Sequence, residues 1–285
     1  MKKIVYTLSA LVIASAVFFA CKKDKKEVDN ETQTVSDNAL AEQEFMRIGP
    51  SISERAVSTP GVKKGIVKDL FSVFSTCASD SLTGDTAGYA AGAFTNLANL
   101  PTLTLDWGTG CSDVDNVNRT GKISATFTKP YDIVGSVITI TPNNYTVNGV
   151  AYTGTIRITK LAGGNNPSFR TEVINGNCTN GTFSIDWACD KTITYTAGFT
   201  TQSDPNDDII SITGNSSGKN RDGRTFSVVI KSALEKMANC KYISKGTLEI
   251  TPDGLKTRTV DFGNGTCDAT GTFTVGGNTF TFTMQ

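Results

Sequence analysis

Residues 148–159 read NGVAYTGTIRIT. Val150, Tyr152, Ile156 and Ile158 fall on one side of an extended chain, and Thr153, Thr155 and Arg157 on the other. Strict alternation of apolar and polar residues is the mark of a strand with one buried face and one wet face. The Asn148-Gly149 pair just before it is the chemistry of a tight hairpin turn, because both residues tolerate a positive φ.

The same period recurs on both sides of this stretch. It appears in TGKISATFT (120–128), NGTFSIDWA (180–188), KTITYTAGF (191–199), GRTFSVVI (223–230), KGTLEIT (245–251), TGTFTV (270–275) and NTFTFTM (278–284). Threonine dresses the wet side of each, as β-branched residues do on a pleated surface. Asn180-Gly181, Asp222-Gly223, Asp253-Gly254 and Gly276-Gly277-Asn278 punctuate them as turns. The reading is an all-β fold, an antiparallel meander of about a dozen strands forming a sandwich or one strongly curved sheet. A membrane-crossing barrel needs an unbroken apolar outer band with aromatic girdles, which these irregular strands lack. Gly121, Gly154, Gly181, Gly246 and Gly271 each precede Thr or Lys and are read as opening strands of one reused β-unit.

Three strands share a second signature: LTLDWGTGC (103–111), FSIDWAC (183–189) and TVDFGNGTC (259–267). Alternation puts Trp107, Trp187 and Phe262 inward and Asp106, Asp186 and Asp261 outward. The aromatic then plugs the core at a strand end, and the Asp accepts a backbone N–H from the turn that follows. A catalytic reading requires two of these carboxylates to converge in a cleft, and nothing in the sequence brings them together. Each signature runs into a cysteine. With Cys21 set apart, six cysteines remain: Cys77, Cys111, Cys178, Cys189, Cys240 and Cys267. An even number permits full pairing, with fifteen connectivities open. Sequence neighbours give 77–111, 178–189 and 240–267, each enclosing one Asp-aromatic segment.

The N-terminus is a targeting segment. Lys2 and Lys3 precede an apolar run from Leu8 to Ala20, too short to span a membrane. Residues 1–20 therefore read as a signal peptide. The junction Phe18-Phe19-Ala20-Cys21 resembles the lipobox of bacterial lipoproteins, which implies that Cys21 is acylated, with palmitate among its acyl chains, and becomes the mature N-terminus. Lys22-Lys23-Asp24-Lys25-Lys26-Glu27 is similar to the charged segment of surface-exported Bacteroidetes lipoproteins. The C-terminal half, with DFGNGTC echoing DWGTGC, resembles the β-rich, disulfide-containing ectodomain of such proteins. The resemblance implies an outer-membrane location, facing the cell surface or the periplasm, and brings no reaction or ligand with it. Residues 21–61 are polar and read as a lipid-anchored flexible tether with a reach on the order of 35 Å. Residues 62–285 are then an all-β ectodomain, in one body or two similar sub-units. Ile66, Leu70, Val73 and Phe74 fit a short amphipathic helix or a strand at its start.

Residue chemistry narrows the function. The chain has no histidine, which removes Ser-His-Asp and Cys-His mechanisms and His-ligated zinc. Without residues 1–20 the 27 basic residues become 25 against 27 acidic, a net charge of −2. No basic stripe remains for nucleic acid. Asp113, Asp115 and Asn118 are weak ligand candidates in an oxygen-rich loop, and Asp204-Pro205-Asn206-Asp207-Asp208 forms a second. The first lacks the third ligand and the glycine of an EF-hand loop, so no metal or cofactor is assigned. Asp80-Ser81-Leu82 and Asp85-Thr86-Ala87 resemble Bacteroidetes O-glycosylation signals. Tyr89, Tyr131 and Tyr145 are candidates for stacking on sugar rings. The expectation is a non-catalytic, lipid-anchored envelope protein, a surface interaction or structural module, with membrane and an envelope protein or surface glycan as partners. Alternatives are a glycan-binding accessory lipoprotein and a histidine-free glycoside hydrolase using paired Asp/Glu.

Overall fold

The computed structural model describes residues 29, 31–58, 77–94, 96–112, 116–131, 133–201, 205–240 and 242–284, and, for residues 53–58 and 205, their backbone alone. Residues 1–28, with Cys21, and the segment containing Ile66 to Phe74 lie outside the described residues.

Among the described residues, thirteen antiparallel strands follow one another across a single sheet in chain order. They are β1 (Ser79–Thr83), β2 (Thr102–Ser112), β3 (Asn118–Phe127), β4 (Val137–Val147), β5 (Val150–Ala162), β6 (Ser168–Thr179) and β7 (Ser184–Ala197). Then come β8 (Ile209–Lys219), β9 (Thr225–Met237), β10 (Ile243–Pro252), β11 (Arg258–Asn264), β12 (Thr270–Val275) and β13 (Asn278–Thr283). The expected meander is present, as one open sheet with β1 and β13 at its edges. The turn signals sit where the sequence places them. Asn148 and Gly149, at φ 48° and 79°, join β4 to β5, and Gly276 and Gly277, at φ 59° and 87°, join β12 to β13. One difference is that residues 180–188 and 191–199 do not make two strands; β7 runs through both.

Alternation decides which face is buried. Leu103, Leu105 and Trp107 of β2 are buried while Thr104 and Asp106 between them are not, and the pattern repeats along the sheet. Laid flat, thirteen strands would measure about 58 Å across. One helix about 10 Å wide cannot cover that. Inward residues from β2 to β12 nevertheless form one continuous buried cluster, so the sheet curves around what lies in its hollow.

The glycines read as strand openers explain part of the curvature. Gly121, Gly154 and Gly246 lie inside β3, β5 and β10, each with positive φ and each at a shift in strand register. Gly214 of β8 does the same. A shift of this kind bends a strand and sharpens its twist. These residues form a row of bends across mid-sheet.

What lies in the hollow is α1 (Gln33–Ser58). Over residues 33–58 this corrects the tether reading of 21–61. Ala41, Phe45, Ile48 and Ile52, spaced four, three and four, are each no more than 1 % exposed. That spacing is one face of a helix. At Gly49 an added Cβ would stand 2.5 Å from Ile158 Cδ1, so a glycine there lets the helix close onto β5. A short second helix, α2 (Thr86–Ala91), packs Tyr89 against Phe127 of β3.

Candidate functional site

The three Asp-aromatic corners have the predicted parity. Trp107 and Trp187 are buried, Phe262 is half-buried, and Asp186 and Asp261 are exposed with Asp106 partly so. Asp106 accepts the Gly108 N–H at 2.8 Å, and Asp261 accepts the Gly263 N–H at 2.8 Å. Asp186 differs: it accepts the Asn177 side-chain amide at 2.8 Å from the neighbouring strand. Lys122 lies 2.7 Å from Asp106, and its hydrogen bond, with that of Gly108, holds the Asp106 carboxyl below its ordinary range. The three carboxylates occupy β2, β7 and β11. Five strands and then four separate them, about 24 Å and 19 Å along the sheet. They do not converge.

Two of the three expected disulfides are present. Cys77–Cys111 and Cys240–Cys267 have Cα separations of 6.1 Å and 5.6 Å. The third is corrected: Cys178 and Cys189 are free and buried. Register is the reason. Cys178 faces Ile185 across the β6–β7 ladder, and Cys189 faces Val173. Both point inward, yet about 15 Å of strand lies between them, far beyond the reach of a bridge. Burial pushes both thiols up to about 12, so neither is a ready nucleophile near neutral pH.

Asp113 and Asp115 lie outside the described residues. Asn118, at the start of β3, takes part in a turn closure: its N–H donates to Asn148 Oδ1 at 2.9 Å, and its carbonyl accepts the Asn148 N–H at 2.8 Å. Asp207 accepts the Thr201 hydroxyl at 2.5 Å. Among the described residues no group of three or more carboxylates, cysteines or histidines is placed to hold a metal. Tyr89, Tyr131 and Tyr145 are at most 6 % exposed and pack on Phe127, Phe169 and Trp107 respectively. They offer no platform to a sugar. Ser81 and Thr86, of the two glycosylation-like signals, are both exposed.

The densest polar constellation is one the sequence reading missed: the seam between α1 and the sheet. Asp37, buried, accepts the Arg221 backbone N–H at 2.8 Å and its Nε at 2.7 Å. Asn38 Oδ1 accepts the Trp187 indole N–H at 2.9 Å, fixing the ring that stacks on Phe45 with centroids 5.7 Å apart. Glu42 pairs with Lys191, which is itself 1 % exposed and lies over the Trp187 ring. Glu44 accepts the Tyr145 hydroxyl at 2.7 Å. Burial first, then the Glu44 charge, raises that phenol well above the ordinary tyrosine range. Just before the helix, Asp29 and Glu31 meet the fully buried Arg258 of β11 at 2.6 Å and 3.2 Å.

Each acidic residue of this seam is met by a cation, hydroxyl or N–H from the sheet: Asp37, Glu42 and Glu44 each from a different strand or turn, and Asp29 and Glu31 together by Arg258. Such an arrangement fixes one position of the helix, since a misplaced helix would leave several buried charges unpaired at roughly 3–5 kcal/mol each. Its chemical work is positional. The signal for it was the spacing Ala41, Phe45, Ile48, Ile52, masked by the polar residues among them. No family model, curated protein or solved structure matches the chain.

Proposed function

We propose that this protein is a non-catalytic, lipid-anchored module of the cell envelope, held to the outer membrane through Cys21 and serving interaction or structure. The supporting observation is the seam: the interior carboxylates of α1 are engaged in bonds that seat the helix. The outward Asp residues of the three corners stand strands apart, which also favours an architectural role for them. The two disulfides staple the sheet near each end, joining the residues just before β1 to β2 and the β9–β10 turn to the segment after β11. Each contributes about 2–4 kcal/mol. That is the build of a durable scaffold, and it makes the exposed outer face and the sheet edges the surfaces on offer.

The test is fractionation of cells making the full chain or its Cys21→Ser variant, with protease added to intact cells. The wild type is expected in the outer-membrane fraction, carrying radiolabelled palmitate and cut by external protease; the variant is expected unlabelled. A wild type recovered unlabelled in the soluble fraction would sink the reading. Thermal unfolding of the full chain against an oligosaccharide panel separates the glycan-binding alternative, because a ligand of the native state raises the melting temperature.

A further inference from the structure

The sheet is open, and its two edges are unlike. β1 is five residues long and carries Asp80, a charge of the kind that protects an edge from strand pairing. β13 has no such device. From Thr270 through Met284 there is no charged residue and no proline. Among the described residues β13 pairs with β12 alone.

The phase of that pairing determines what the free side presents. The Met284 N–H donates to the Ala269 carbonyl at 2.8 Å, continuing the register in which Thr270 faces Thr283. In an antiparallel ladder, hydrogen-bonded pairs alternate with non-bonded ones. Residues 278, 280, 282 and 284 therefore turn their backbone groups toward β12. Thr279, Thr281 and Thr283 turn their N–H and C=O groups outward. Side chains follow the other alternation. Phe280 and Phe282 lie on the inward face, where Phe280 stacks on Phe273 at 5.1 Å and Phe282 meets Phe262 edge-on at 6.3 Å. Phe280 is still 38 % exposed, since among the described residues no strand pairs on its far side.

Thr279-Phe280-Thr281-Phe282-Thr283 reads the same in both directions. An antiparallel partner of identical sequence, centred on Thr281, would place Phe280 opposite Phe282, Thr279 opposite Thr283, and Thr281 opposite itself. The outward backbone groups then match as well. The three Thr pairs are the hydrogen-bonded ones, each exchanging two bonds, and the Phe pairs occupy the non-bonded positions where side chains approach closest.

We infer that the β13 edge is a self-association surface, on which a second copy of this chain docks by two-fold antiparallel pairing about Thr281. A two-fold contact of this kind closes on itself and yields a dimer in which both β13 edges are covered and none is left for the β13 of a third copy. One strand pair buries less than the roughly 1,200–2,000 Å² of a tight complex, so the equilibrium depends on concentration. The inference rests on β12 and β13 and is independent of the anchored-module reading.

Single cysteines in the full chain, in detergent and with a short bis-maleimide, test the register. Thr281→Cys alone should give a cross-linked dimer, since paired residues lie about 5.5 Å apart. A mixture of Thr279→Cys and Thr283→Cys chains should do the same. Either of those variants alone should not, its two copies being about 13 Å apart along the strands. The unsubstituted chain gives the background from its own thiols. Thr281→Lys sets two like charges on the axis, and is expected to weaken dimerisation in sedimentation velocity at least tenfold while leaving the far-UV thermal melt unchanged. A Thr281→Lys chain that dimerises like the wild type would overturn the proposal. So would cross-linking of Thr281→Cys to Ser81→Cys in place of its own copy, which would show head-to-tail pairing of β13 on β1.

Discussion

Gly121 and Gly149 hold almost the same backbone angle, φ 78° and 79°, in different surroundings. A Cβ on Gly121 would stand 2.1 Å from the Asn144 carbonyl oxygen, whereas one on Gly149 would meet nothing within 4 Å. Gly149→Ala should therefore cost only the left-handed strain, about 1–2 kcal/mol. Gly121→Ala adds the collision and should cost about 2–4 kcal/mol. Urea denaturation of the two variants measures the difference; equal losses would mean the mid-strand bend does not need its glycine. Single residues also mark where reading by eye succeeds. Period two places Trp107 inside and Asp106 outside with no structure in hand, because parity is a local property. The Cys178–Cys189 bridge failed because parity is all that local pattern supplies. Which residue of β6 faces which residue of β7 depends on the Asn180-Gly181 turn and on the register shift between Val173 and Gly176.

The helix is the element that composition concealed. Its stripe of Ala41, Phe45, Ile48 and Ile52 is helical in spacing, but Thr34, Asp37, Asn38 and Glu44 are buried too. A stretch rich in such residues looks like solvated linker until the sheet supplies Arg221, Trp187 and Tyr145 as their partners. Phe45 is the mechanical centre. It stacks on Trp187, meets Tyr152 at 5.5 Å, and points at Gly176, where an added Cβ would come within 3.0 Å of its ring. Phe45→Ala should cost about 3–5 kcal/mol in guanidinium denaturation, and Gln43→Ala, on the exposed face, under about 0.5 kcal/mol. Equal, small effects would return the segment to the role of a tether. The strands were legible because each carries its own alternation; the helix was not, because its buried face makes chemical sense only beside the sheet.

Across the whole molecule, surface and interior charges set opposite pH limits. Asp106 beside Lys122, Asp190 beside Arg170, and Asp29 all hold their carboxyls below the ordinary aspartate range; at Asp29 burial opposes this, and the Glu31 N–H and Arg258 outweigh it. A lowered native value stabilises the fold above the unfolded value and is lost as pH falls through the native one. Stability should hold from neutrality to about pH 4 and decline below it. Buried Tyr89, raised to about 12, and Tyr145 work the other way, so stability should also fall as pH climbs past about 10. Denaturant midpoints from pH 2 to 11 check both limbs, and a fold that strengthens on acidification would contradict the first. The strand order carries a further consequence, for assembly in time. Every strand pairs with its neighbour in sequence, so the sheet can grow as fast as the chain is made. The helix is made first, and its partners arrive in sequence: Tyr145 for Glu44 after 101 residues, Trp187 for Asn38 after 149, Arg221 for Asp37 after 184, and Arg258 for Asp29 after 229. Capture runs backward along α1, from its middle toward its N-terminus, as the wall advances strand by strand. A ribosome pausing before β7 would leave Phe45 with no ring to stack on Trp187's side. One pausing before β11 would hold a seated helix whose preceding residues, Asp29 and Glu31, still lack Arg258.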